Sequence, residues 1–340
     1  MKYSAKYCSP TSKTALLYWG GLLFLCISAV LGIFLGSTKL SPGEIIAAFR
    51  GGFDSSAGAR IFAYVRLPRT AASLVCGAAL AVSGAVIQGV LANRLASPSI
   101  IGVNAGAALA VTLCAALGIY GGWQLSLFSF IGAFAAVMLV SFGAKKWGAS
   151  RGTVILIGVA MNSFLGAVTN TIVTFIPEVG VMSNSFKIGE FSGVTHQKLI
   201  PAVVVISVTI VFLLTLHNEL DVLTLGEESA MGLGMNTALM RTLFLLFSAL
   251  LAGSAVSLAG LLSFVGLLVP HAVRRVAGSK SSGLIGLCAL YGAGFVCLCD
   301  TAARTVFSPY EIPVGIIMAF LGAPFFVFIL IKGRGGHSRD

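Results

Sequence analysis

Long apolar runs separated by short polar ones dominate the 340-residue chain. A helix needs about 20 apolar residues to cross roughly 30 Å of hydrocarbon. Eight runs come close to that length: 15–36, 70–91, 100–118, 123–143, 152–176, 199–216, 283–300 and 312–331. A ninth stretch, 241–273, holds 33 residues with no acid or base between Arg241 and His271. It is too long for one span and too short for two. Gly253 and Gly260 interrupt it and Pro270 closes it, so the pattern predicts a full helix followed by a short, partly inserted one. Broken helices persist at membrane depth only where protein or a water-filled cavity surrounds the freed backbone groups. The expectation is an all-α polytopic membrane protein with about ten spanning helices, one domain over 1–340 and both termini on one side.

Two connecting segments are long enough to hold structure of their own. The segment 37–69 contains Ser41-Pro42-Gly43-Glu44, which predicts a helix start with proline at the first helical position. In 218–240, Thr224 stands three residues before Glu227, the spacing of a capping box. Glu227 and Glu228 suit the positive end of a helix dipole, and Gly234 falls where a C-terminal cap glycine belongs. This segment predicts a short capped helix that a soluble partner could grip.

Composition agrees with the apolar pattern. Hydrophobic residues make up 57% of the chain and charged residues 10%, against about 25% charged in a soluble domain, and mean hydropathy is +0.98. A soluble enzyme, a disordered chain and a collagen-like fibre are excluded. The formal charge of +11 comes without a basic run or an aromatic-interleaved basic stripe, which speaks for anionic lipid rather than nucleic acid. With the N-terminus inside, inner segments hold fourteen of the 22 Lys and Arg and outer segments eight, so the bias supports cytoplasmic termini. Five of the outer eight (Lys39, Arg50, Arg60, Arg66 and Arg69) crowd into 37–69, and that exception suggests a task outside the membrane. The seven cysteines are odd in number and form no CxxC pair, so apolar packing is expected of them. Met1 to Lys13 leads into an apolar run without an A-x-A cleavage pattern, which reads as a retained first span.

Candidate chemistry is sparse. Asn162, Gly166, Asn170 and Thr174 recur every four residues along the fifth span, with Phe164, Leu165, Val168 and Phe175 on its other faces. Such a face either lines a pathway or joins helices. Gln88 is a candidate interhelical hydrogen-bonder or part of an inner gate. Asp300 and Arg304 have the favourable i,i+4 order of a helix ion pair. His271 has no partner at ligand spacing, and HExxH is absent, so no metal site is expected. No GxxxxGK[ST] loop is present to cradle ATP, and no catalytic constellation is found.

Several segments together resemble the FecCD-type permeases of iron-siderophore, haem and vitamin B12 ABC importers. Arg66-Leu67-Pro68-Arg69 resembles the family's RLPR, and Gly77 to Gly89 its GAALAxSGAxxQ helix. Asn93 to Pro98 resembles NPLAxP and leads into the family-like Gly102-Val103-Asn104-Ala105-Gly106-Ala107. Leu225 to Gly234 resembles the coupling loop, and Ser263 to His271 with Arg274 the FxGLxxPHxxR block. Asp300, Arg304, Glu311 to Gly315 and Leu321 to Phe325 complete the signature. Three departures stand out: Arg94 in place of the usual proline, Ser279-Lys280-Ser281-Ser282 in place of a charged turn, and no tryptophan between Met182 and Gly193.

The resemblance implies a type II ABC importer permease fold in the bacterial cytoplasmic membrane. The expected partners are a second permease, identical or not, two ATP-binding subunits that hold ATP and Mg, and an extracytoplasmic substrate-binding protein. It further implies that Arg66, Arg69 and Arg304 dock the binding protein, and that Gly226, Glu227, Glu228, Ala230, Leu233 and Gly234 couple to the ATPases. Gln88, Asn162, Gly166, Asn170 and Thr174 would line the pathway. A ferric siderophore is the leading substrate, with haem, cobalamin or an oxyanion as alternatives by the same architecture. Two other classes are an ion-coupled secondary carrier, which would want an acid in mid-membrane, and a membrane-embedded enzyme.

Overall fold

The computed structural model describes residues 10–38, 43–44, 52–54, 56–146 and 151–334, and no strand occurs among them. The helices are α1 (Pro10–Phe34), α2 (Ala57–Ile61), α3 (Leu67–Val90), α4 (Val103–Ala116), α5 (Gly122–Lys146), α6 (Arg151–Phe175) and α7 (Val179–Ile188). They continue with α8 (His196–Thr215), α9 (His217–Thr224), α10 (Glu227–Gly232), α11 (Thr237–Ala259), α12 (Val265–Ala277), α13 (Ser281–Thr305) and α14 (Val314–Arg334). Among the described residues seven helical runs are long and apolar enough to cross a membrane: α1, the continuous run Ala57–Val90, α5, α6, α8, α11 and α13. The shorter apolar α4 and α14 and the 13-residue α12 complete the predicted order of spans.

In its most apolar stretch the Ala57–Val90 run is 78% buried, whereas α1 is 17% and α6 22% buried. So α3 is central and the other two are peripheral. Without water there is no hydrophobic force between spans, so close van der Waals packing and hydrogen bonds must hold them. Gly77 and Gly292 supply that closeness between α3 and α13: a Cβ on either would collide with the other's carbonyl. Gly84 meets the backbone of Gly266 in α12 in the same way. Ser83 Oγ adds a 2.8 Å bond to the Ser248 carbonyl of α11.

The predicted break in 241–273 lies between Ala259 and Val265. The freed backbone groups find protein partners, as membrane depth requires. The Ala259 carbonyl accepts from Glu190 N at 2.8 Å, and Leu261 N donates to the Phe186 carbonyl at 2.9 Å. Phe264 opens α12 with φ 66°, a left-handed conformation that costs on the order of 1–3 kcal/mol for such a residue. Its ring occupies the space that a side chain at Gly322 would need.

One expectation needs correction. Residues 57–66 of the predicted 37–69 loop are helical, capped by Ser56 Oγ accepting from Ala59 N at 3.1 Å, and run through a wide π turn at Phe62–Arg66 into α3. Apolar Ile61, Phe62 and Ala63 extend the span toward its N-terminus, and Pro68, which lacks an N–H, follows directly on the wide turn inside the continuous helical run. The helix start predicted at Ser41-Pro42 lies outside the described residues, although Gly43 and Glu44 are helical.

Candidate functional site

At the predicted cytoplasmic end, 217–236 folds as two short helices, not one. Thr224 caps nothing: its hydroxyl donates to the Asp221 carbonyl at 2.6 Å, closing α9. Gly226, with φ 115°, precedes α10, and Glu227 pairs with Arg241 of α11 instead of turning back to a cap. The predicted stop at Gly234 is formed. Gly234 N donates to the Met231 carbonyl and Met235 N to the Ala230 carbonyl, the paired bonds of a Schellman cap, with Gly234 at φ 81°. Ala230 is buried, while Glu228, Met231 and Leu233 are exposed. The segment is tied to three spans, through Glu227–Arg241 to α11, Arg151 Nη2 on the Leu223 carbonyl at 2.7 Å to α6, and Ser281 N on Asp221 Oδ1 at 2.9 Å to α13.

Along α6 the predicted face is present and open. Asn170 and Thr174 are exposed, Leu165 is buried, and a Cβ at Gly166 would meet nothing within 4 Å. Asn162 is partly tied down, its Nδ2 donating to the Ser99 carbonyl at 2.8 Å. A cleft of about 280 Å³ lies beside Asn162, Gly166 and Thr169. Gln88 is not on this face. It is buried between α3 and α12, with Nε2 donating to the Gly266 carbonyl at 2.9 Å and Oε1 accepting from Arg274. Both bonds run from α3 to α12.

The outer arginines depart furthest from expectation. Arg66, Arg69 and Arg304 are 3%, 5% and 2% exposed, so their forks are already engaged within the chain. Arg66 Nη1 donates to the carbonyls of Ile33 at 3.0 Å and Phe34 at 2.8 Å, and Nη2 to that of Thr38. Arg69 grips Asp300 with Nη2 at 3.0 Å and Glu311 with Nη1 at 2.6 Å. Arg304 Nε lies 3.1 Å from Asp300 Oδ2, the predicted i,i+4 pair, and Nη2 donates to the Gly32 carbonyl at 3.1 Å. Burial forces this arrangement, since a guanidinium away from water must find acceptors. The cluster joins α1, α3, α13 and the loop 306–313, from which Val306, Phe307 and Tyr310 project exposed.

Glu311 is the titratable part of that cluster. Partial burial pushes its carboxyl up, but hydrogen bonds from Ser37 and Arg69 and the charges of Arg69 and Arg304 outweigh this and hold it below the usual carboxylate range. A lowered folded pKa contributes stability that is present above the unfolded value of about 4.3 and lost as pH falls through the folded one. Thermal unfolding in detergent should therefore show the purified protein losing stability below about pH 4.3. Glu311→Gln should unfold earlier at neutral pH and follow a flatter acid limb. Parallel limbs in the two proteins would remove Glu311 from the account.

Sequence reasoning missed Arg151, Arg241, Arg274 and Lys187. Arg151 and Arg241 were visible only as bases at the feet of apolar spans and Arg274 only within the FxGLxxPHxxR resemblance, and their partners lie 14 to 189 residues away. Lys187 belongs to the cleft beside α6.

The profile of the FecCD transport family matches residues 23–332. The Fe(3+)-citrate import system permease protein YfmD of Bacillus subtilis is 36% identical over 319 residues, covering 92% of this chain and 96% of that protein. The hemin transport system permease protein HmuU of Yersinia pestis is 33% identical over 325 residues, covering 93% and 96%. A solved structure described as an inward-facing conformation of a metal-chelate type ABC transporter matches with a TM-score of 0.81 at 30% identity, over 94% of this chain and 99% of that one.

Proposed function

The chain belongs to the FecCD transport family, and on that footing we propose that it is the permease subunit of an ATP-driven importer that carries an iron complex, a ferric siderophore first of all, into the cytoplasm. Its partners in this reading are a second permease, two ATP-binding subunits and an extracytoplasmic binding protein. It works in the cytoplasmic membrane with both termini inside. Haem, cobalamin or an oxyanion would pass by the same architecture.

The observation that carries the reading is the tethered segment 217–236. It exposes Glu228, Met231 and Leu233 to a soluble partner and is bonded to α6, α11 and α13. ATP-driven closure of the ATPases moves α10, and the three tethers pass that motion to α6, α11 and α13. The exposed polar face of α6 lines the pathway against the second permease, so that rocking of the two subunits opens it alternately to each side. This is rigid-body alternating access, reached by a different fold from the secondary carriers.

At the outer end the three arginines act on docking through the fold. Arg69 holds the 306–313 loop through Glu311 while Arg66 and Arg304 fix α1 beside it, and the loop's exposed Phe307 and Tyr310 offer the apolar anchors on which partner binding concentrates. Uptake of labelled ferric siderophores, haem and cobalamin by cells with and without the chain tests the function. Substrate-stimulated ATP hydrolysis in the reconstituted complex separates it from an ion-coupled carrier.

Coupling makes a sharper demand. Since Glu228 and Leu233 are exposed, replacing both by alanine should leave the permease folded yet lower uptake about thirtyfold, the scale of a lost interface hot spot of about 2 kcal/mol. Full uptake with normal ATPase assembly in this double variant would sink the role of α10.

A further inference from the structure

The cleft beside α6 holds a cation that neither the fold nor the coupling scheme uses. Its walls include Ser99, Asn104, Asn162, Gly166, Thr169 and Lys187. Helix α7 follows the outer end of α6 and folds back against α4, where the buried Thr112 and Ser183 hydroxyls bond at 2.9 Å. That return brings Lys187 into a cleft that reaches Asn162, midway along α6. The cation is accessible, and its side chain forms no ion pair or hydrogen bond among the described residues. Glu190, three residues on, accepts from Ser185 Oγ at 3.4 Å. Among the described residues no acid lines the cleft.

Ionisable side chains at membrane depth are rare, and they mark pathways or pair with one another. Among the described residues Lys187 is unpaired, whereas the buried Arg66, Arg69, Arg241 and Arg304 are bonded to carboxylates or carbonyls. Its surroundings are uncharged: apolar Ala105, Ala108 and Leu261 share the walls with Asn104, Asn162 and Thr169, and since Asn162 Nδ2 and the Thr169 hydroxyl already donate to carbonyls, Lys187 supplies the cleft's charge. We infer that this cleft is a transit site for a net-anionic metal chelate, one with carboxylate oxygens at its surface, and that Lys187 is its charge-selecting residue. The inference rests on the α6 face being the pathway. A lone ammonium suits transit better than a bidentate arginine fork, because it attracts at a distance without fixing one geometry.

The test compares uptake of iron-labelled ferric citrate, which is net negative, with a neutral ferric trihydroxamate, in cells matched for membrane-inserted protein. Hemin, with its two propionates, is a second anionic probe. Wild type should favour the anionic probes. Lys187→Gln should lower their uptake about tenfold, the scale of one lost charge-assisted hydrogen bond. Lys187→Glu should reverse the order of anionic and neutral probes, and Lys187→Arg should keep the wild-type order. A wild type that carries only the neutral complex, or Lys187→Gln and Lys187→Glu variants with an unaltered preference, would overturn the inference while leaving the importer reading intact. No uptake of any probe by wild type, and none of siderophore or cobalamin, would overturn the importer reading itself.

Discussion

Asp300→Ala should abolish most of the folded protein. Asp300 is fully buried and lies between two buried guanidiniums, with Arg69 Nη2 at 3.0 Å and Arg304 Nε at 3.1 Å. Removing one partner of a buried pair leaves an uncompensated charge and costs about 3–5 kcal/mol. Here two charges are stranded at once, and Glu311 at the rim can answer only Arg69. Size-exclusion profiles of detergent-solubilised protein should show the monodisperse peak collapsing in Asp300→Ala. Asp300→Asn should fall between, since it keeps an acceptor and loses the charge. Replacing Asp300, Arg69 and Arg304 together by apolar residues of similar volume should restore folding in part, because a dry apolar cluster needs no acceptors. An unaltered peak and unfolding temperature for Asp300→Ala would show that the cluster does not hold the outer end together.

The second large effect belongs to Gly84. A Cβ there would collide with the backbone of Gly266, which cannot swing aside as a flexible side chain could. Gly84→Val should therefore drive α3 and α12 apart. It should break the Gln88–Gly266 and Arg274–Ala85 bonds nearby and remove more than about 4 kcal/mol of stability. Gly166→Val is the matched control, because open space surrounds that glycine. It should fold like wild type and slow uptake, while Leu165→Val, on the packed side of α6, should slow it less. Equal yields of Gly84→Val and wild type would refute the close-packing account of α3. Equal uptake losses at Gly166 and Leu165 would return the α6 face to helix joining.

These two sites also mark what the sequence could and could not tell. Spans were legible because crossing hydrocarbon fixes both length and polarity, and the break at Gly260 because 241–273 fits neither one helix nor two. Gly234 was legible because a Schellman cap is local. The Asn162 to Thr174 face was legible because helical periodicity alone puts those residues together. The arginine cluster was not. Spacing revealed Arg304 with Asp300, four residues apart, but the tighter grip on Asp300 comes from Arg69, 231 residues away. Counting basic residues by loop then placed Arg66 and Arg69 on an outer surface, when a helical extension buries both. Thr224 shows the opposite failure, a correct local spacing that the chain does not use. Its hydroxyl donates to the Asp221 carbonyl within α9, and Gly226, not Thr224, stands at the start of α10.

The distance along the chain between Arg69 and Asp300 also sets a problem in time. A ribosome adds roughly 5–20 residues per second, so the 231 residues between the two take on the order of 10–50 s to make. Throughout that interval α3 has left the ribosome with a guanidinium at one end and no carboxylate to meet it. The nascent chain must wait, with Arg69 held at the headgroup level and α3 still exposed to lipid or to an insertion factor. Helices α11 and α12, made earlier, already give α3 close partners at Ser248 and Gly266, but the carboxylate for Arg69 comes only with α13. A chain truncated before α13 would therefore display an unpaired membrane arginine to the cell's quality control.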